Sequence, residues 1–273
     1  MNKRGNSRGT RALALRNNLN FCPKSKRSQI TIFVIIALAI VAVALLIYFV
    51  YPKITSTVVS SSPESYIQSC MQTDLENAVE KVSLQGGSTN PGNYYLFNNE
   101  KVAYLIYTSE FYKLGVMQQP MLKQHIESEI KNAIKDKKTE CFNSLKQNYQ
   151  GKGYEVNLVE RDYNVELLPK KVIVTFDYSL TLIKGATNKY EKLKVVLNNN
   201  LYELTTIANS ILNSEAIYGE TEVTTYMDYY PTLKVERLIQ TDGTKIFVIT
   251  DKTTKDKFVF ASRSIAWPPG YGA

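Results

Sequence analysis

The longest unbroken pattern along the chain is an apolar one. Ile30 to Val50 runs for 21 residues without a charge, and Thr31 is its one member outside the apolar and aromatic set. As a helix it extends roughly 31 Å at about 1.5 Å per residue, the thickness of a bilayer's hydrocarbon core. Residues 30–51 therefore read as a transmembrane helix, with Tyr48, Phe49 and Tyr51 at headgroup level and Pro52 stopping it. Residues 52–62, rich in Ser and Thr, read as a short stalk.

From Pro63 the apolar positions fall at three- and four-residue steps. Ile67, Met71, Leu75, Ala78 and Val82 predict an amphipathic helix that Gly86-Gly87 ends, with Ser61-x-x-Glu64 as its capping box. Residues 91–118 alternate turn formers with aromatic runs and predict one or two short strands. A second helix is expected over 120–151, on Leu122, Ile126, Ile130, Ala133, Ile134, Cys141 and Leu145. Beyond Gly151 the period becomes two, which predicts strands over 154–158, 172–182 and 192–197. Asn200-x-x-Glu203 caps a third helix, and 233–239, 245–249 and 257–261 form a meander with a turn at Asp242-Gly243. This order predicts an α+β fold with mostly antiparallel sheet for an outer domain, residues 63–273. The place to divide it in two is 151–153.

Charge sets the orientation. Residues 1–29 hold eight Lys and Arg and no Asp or Glu, so the remainder balances at 25 of each sign. A neutral globular part has no excess charge for phosphates, so no nucleic-acid partner is expected. Eight positive charges before the span place the basic tail, 1–29, in the cytoplasm and the chain from 52 onward outside, as a single-pass protein of the cell membrane. Ala42-Val43-Ala44 offers a competing reading as a signal-peptide cleavage site, although an apolar run of 21 exceeds the roughly 7 to 15 of a signal's central region.

The run Lys26-Arg27-Ser28-Gln29-Ile30-Thr31-Ile32-Phe33-Val34 resembles the class III signal of archaeal type IV pilin-like proteins. It is also similar to the leader of uncharacterised single-pass membrane proteins of DPANN archaea. In that signal a basic pair and a small residue precede the cut and the apolar helix follows it. The resemblance implies leader-peptidase cleavage between Ser28 and Gln29, and self-assembly through the freed transmembrane helix. An uncleaved signal anchor, oriented by its arginines, is the other reading of the same residues.

Cys70 and Cys141 lie on or beside the apolar stripes of their helices, so packing of the two stripes predicts a disulfide, with two buried reduced thiols as the alternative. Cys22, in the basic tail, is expected to stay reduced. His125 is the sole histidine and reads as a surface or cap-side residue, and no GxSxG, paired Cys/His zinc spacing, calcium loop, GxGxxG or Walker pattern accompanies it. Asp228 and Glu222 are the nearest approach to a catalytic carboxylate pair. No cofactor, metal or enzymatic activity is called for. Tyr226, Tyr229 and Tyr230 read either as half-buried strand positions, where aromatics fit a pleated face, or as recognition groups, since rigid amphipathic rings add contact area at small entropy cost, and the end Trp267-Pro268-Pro269-Gly270-Tyr271 suits a docking tail. The expectation is a non-catalytic surface protein whose partners are the lipid bilayer and a surface protein or envelope component. A pilin-like filament subunit is the rival, and an external hydrolase comes third.

Overall fold

The computed structural model describes residues 34–42 and 62–268. The chain separates into two units, Met1–Ser60 and Ser61–Ala273. In the first, residues 34–42 are helical (α1). The rest of the predicted span, the stalk to residue 61, Cys22, Ser28 and Gln29 lie outside the described residues. Among the described residues no helix is long and apolar enough to cross a membrane.

In the second unit α2 (Pro63–Leu84) buries the whole stripe Ile67, Met71, Leu75, Ala78 and Val82. Its cap is Ser62 and not Ser61: Ser62 Oγ accepts from Ser65 N at 3.2 Å, and Pro63 fills the first helical position, where its missing N–H costs nothing. β1 (Tyr94–Phe97) and β2 (Glu100–Tyr107) form a hairpin across Asn98 and Asn99, both at positive φ. β3 (Val116–Met117) pairs with β2 and makes three strands in a region where one or two were expected.

The expected helix over 120–151 is two, α3 (Leu122–Ala133) and α4 (Lys135–Gly151), parted at Ile134. Its φ of −92° and ψ of 0° leave the helical well, yet Ile134 N still donates to Ile130 O at 3.1 Å and Lys138 N to Ile134 O at 2.8 Å. Backbone bonding and apolar period both cross the bend, so the pattern reads as continuous.

β4 (Glu155–Leu168), β5 (Lys171–Lys184) and β6 (Ala186–Asn198) make an antiparallel sheet in that order. At about 3.3 Å per residue its strands run roughly 45 Å. β4 is longer than expected because alternation resumes at Tyr163 after a register shift between Glu160 and Tyr163. One face packs on the helices, where the Phe142 ring of α4 stacks on Tyr178 with centroids 3.7 Å apart. Helix side chains close both edges at one end. The Gln68 amide donates to Val196 O at 3.0 Å and accepts from Val196 N at 2.9 Å, and Glu127 accepts from Leu167 N at 2.8 Å.

α5 (Leu201–Tyr218) follows, then the short α6 (Thr224–Tyr229) and the expected meander, β7 (Leu233–Ile239), β8 (Lys245–Asp251) and β9 (Lys257–Arg263). The predicted Asn200-x-x-Glu203 box does not form. Asn199 Oδ1 accepts from Leu201 N at 2.8 Å, and Glu203 is drawn away to the Lys170 N–H at 2.9 Å. The second sheet runs β1-β2-β9-β8-β7, antiparallel except for the parallel β2–β9 pair, which confirms α+β architecture with mostly antiparallel sheet. One contiguous core joins both sheets through α2 to α5, and a smaller cluster around Val102, Tyr104 and Ile246 packs separately.

Candidate functional site

Three segments of the second unit bring apolar side chains to one exposed surface: the loop after β2, the C-terminal end of α5 and the segment after β9. Close backbone approach makes this possible. Gly115 N donates to Ser264 O at 2.7 Å, and a Cβ on Gly115 would lie 2.7 Å from Ile106 Cγ2 and 2.8 Å from Arg263 O. Thr108 N donates to Arg263 O at 3.1 Å and Tyr112 N to Ala266 O at 3.0 Å, with isolated bridges Phe111–Ala266 and Leu114–Ile265. Gly219 ends α5 at φ 70°, and a Cβ there would fall 2.2 Å from Ile265 Cδ1. Only glycine satisfies both that handedness and that space.

The side chains these contacts present stay largely in solvent. Val116 is 69% and Tyr218 72% exposed, and Phe111, Leu114, Ile217 and Trp267 are exposed with them. Tyr112 holds positive φ, and its ring meets Trp267 edge to face at 5.3 Å.

A buried ion cluster lies behind this surface. Glu215, on the last turn of α5, is fully buried, and Lys245 at the start of β8 reaches its two oxygens at 3.0 and 3.1 Å. Lys245 also donates to Gly219 O and to Glu220 at 3.3 Å, while Ser262 Oγ and Ser264 Oγ donate to Glu215. Arg237 pairs with Glu220 and donates to Thr221 O at 2.9 Å. Burial pushes the Lys245 ammonium below its ordinary range, opposed by the Glu215 charge and hydrogen bonds. The buried part of the cluster, Glu215 with Lys245, Ser262 and Ser264, binds the end of α5 to the start of β8 and the end of β9.

The groups singled out in the sequence are placed as follows. Cys70 and Cys141 are joined as a disulfide with Cα atoms 5.9 Å apart, linking α2 to α4. His125 is half-buried, and its Nε2 lies 2.8 Å from Ser88 Oγ, a partner that the sequence did not disclose. The neighbouring carboxylate, Glu129, accepts from the N–H and hydroxyl of Thr89, both at 2.7 Å, so the two pairs pin the 88–89 loop onto α3. Glu222 accepts from Thr224 N at 3.1 Å and Thr224 Oγ1 at 2.8 Å, donors that hold its carboxyl below the usual range, and no contact joins it to Asp228. Tyr226 bonds Ser210 at 3.0 Å, whereas Tyr229 and Tyr230 are exposed. Among the described residues no three His, Cys, Asp or Glu gather to hold a metal.

The sequence pointed to Trp267 but not to Val116, Ile217 or the Glu215–Lys245 pair. Among these, Ile217-Tyr218 before Gly219 carried a signal, an apolar pair at the end of a helix where polar residues are the rule. Comparison with protein-family models, curated proteins and solved structures finds no match to this chain.

Proposed function

We propose that this chain is a single-pass, membrane-anchored cell-surface protein whose outer domain binds a protein or envelope partner and catalyses no reaction. The observation that carries the reading is the end surface, since apolar groups gathered on one exposed face mark recognition sites. Trp267 and Tyr112 supply rigid aromatic area, the side-chain type that dominates binding energy when an interface closes over it. The partner it fits presents an apolar face of its own.

Native electrophoresis of the full chain, extracted from its membrane in mild detergent, tests this. The wild type should migrate as a complex larger than the 31.0 kDa chain. Val116→Asp combined with Tyr218→Asp changes two exposed positions and should dissolve the complex while the Cys70–Cys141 bridge persists. A complex that survives both charges would sink the assignment.

The motif over 26–34 favours a second reading, a type IV pilin-like structural subunit processed after Ser28. Intact mass of the extracted protein separates the two, because processing removes the first 28 residues and with them the eight basic groups.

A further inference from the structure

Away from the end surface, three adjoining clefts of about 560, 400 and 310 Å³ share walls around Asn198, Asn199 and Asn200. The first lies between α2 and the β8–β9 turn. The second crosses the asparagine run to the β4–β5 turn, and the third continues along the start of α5 to Tyr202 and Tyr230. We infer that this trough is a binding site for an extended saccharide.

Its chemistry is that of hydroxyl recognition. A sugar hydroxyl donates and accepts at once, and the walls present both kinds of partner in the exposed Asn198 amide, Glu80 carboxylate and Lys257 ammonium, while Asn199 and Asn200 are already bonded to Asp256 and Asp251. Three lysines face five carboxylates along the trough, so it has no excess positive charge for phosphates or a polyanion. Aromatic rings stand at one end only, where Tyr230 is half exposed and can lie against the apolar face of a pyranose. One polar group of the trough is not spent on the fold: the side chain of Asn198 is exposed and makes no hydrogen bond among the described residues. Two turns that shape the trough hold lysine at positive φ, Lys170 at 61° and Lys255 at 69°, positions where Gly or Asn costs less.

The test uses the full chain in a detergent without a sugar headgroup, titrated calorimetrically with malto-, manno- and chitohexaose. At least one should bind saturably with Kd below about 1 mM, equivalent to about 4 kcal/mol. Asn198→Ala with Tyr230→Ala should weaken it tenfold or more while circular dichroism and the disulfide stay unchanged. Val116→Asp with Tyr218→Asp should leave it intact, which separates this site from the end surface. Isolated envelope fragments distinguish the sources. Binding that survives protease but not periodate assigns a polysaccharide, and binding lost to both assigns a protein-linked glycan. No heat with any hexaose at millimolar concentration, indifference to the trough variants, or envelope binding that resists periodate overturns the proposal; the last of these would mark a peptide ligand.

Discussion

Gly219 has no side chain, and that lack decides where the apolar end surface sits. Its positive φ turns the chain out of α5, and the space a Cβ would need is taken by Ile265. The same turn directs the Gly219 carbonyl to Lys245, whose ammonium also meets Glu215 and Glu220. A buried ion pair of this kind adds little net stability over an apolar pair of equal volume, but breaking it is costly because the survivor stays charged and buried. Glu215→Ala should therefore destabilise the domain by about 3–5 kcal/mol in denaturant unfolding, whereas Glu215→Leu with Lys245→Met should recover most of the loss. None of this was legible in the sequence. Glu215 and Lys245 stand 30 residues apart in surroundings that read as helix end and strand start, and nothing local marks either as buried. Ser88 was hidden for the same reason, its partner His125 being 37 residues away.

Elements were more readable, because periodicity is a local property that the core then enforces. The α2 stripe, the alternation of β5 and the Asp242-Gly243 turn all appear where the pattern put them, the last with Gly243 at φ 83°. What failed were caps and breaks. Ser61 and Ser62 both suit a cap, and only the position of Pro63 in the first turn selects the second. The bend at Ile134 keeps its backbone bonds, so no residue announces it. The link between α2 and α4 was inferred from two stripes meeting, and the bridge Cys70–Cys141 spans a separation of 71 residues. Chain entropy values a loop of that length at about 4 kcal/mol. Thermal unfolding of Cys70→Ser and of Cys141→Ser should each show a lower Tm, and the double variant should cost little more than either, since both remove the same bond. Equal and additive losses would mean that each thiol contributes separately.

At the scale of the whole molecule, fold class followed from the order of elements, while the closing of the second sheet through one parallel pair, β2 with β9, did not. Those strands lie some 150 residues apart in the chain, a distance no local pattern can bridge. The topology proposed for the chain has its own check. Protease added to intact cells should digest the domain from residue 63 and spare the first 29, and protection of the domain would reverse the orientation. The two blocked strand edges bear on how copies of this molecule can meet. With Gln68 occupying the edge of β6 and Glu127 that of β4, neither end strand has a free ladder beside the helices, and the open stretch of β6 carries Lys189, Lys192 and Lys194. Crowded on a surface, such domains cannot pair β4 with β6 along the ends that the helices cover. Copies that meet at that end of the sheet do so through side-chain surfaces, and contacts of that kind stay exchangeable in a way that cross-strand polymers are not.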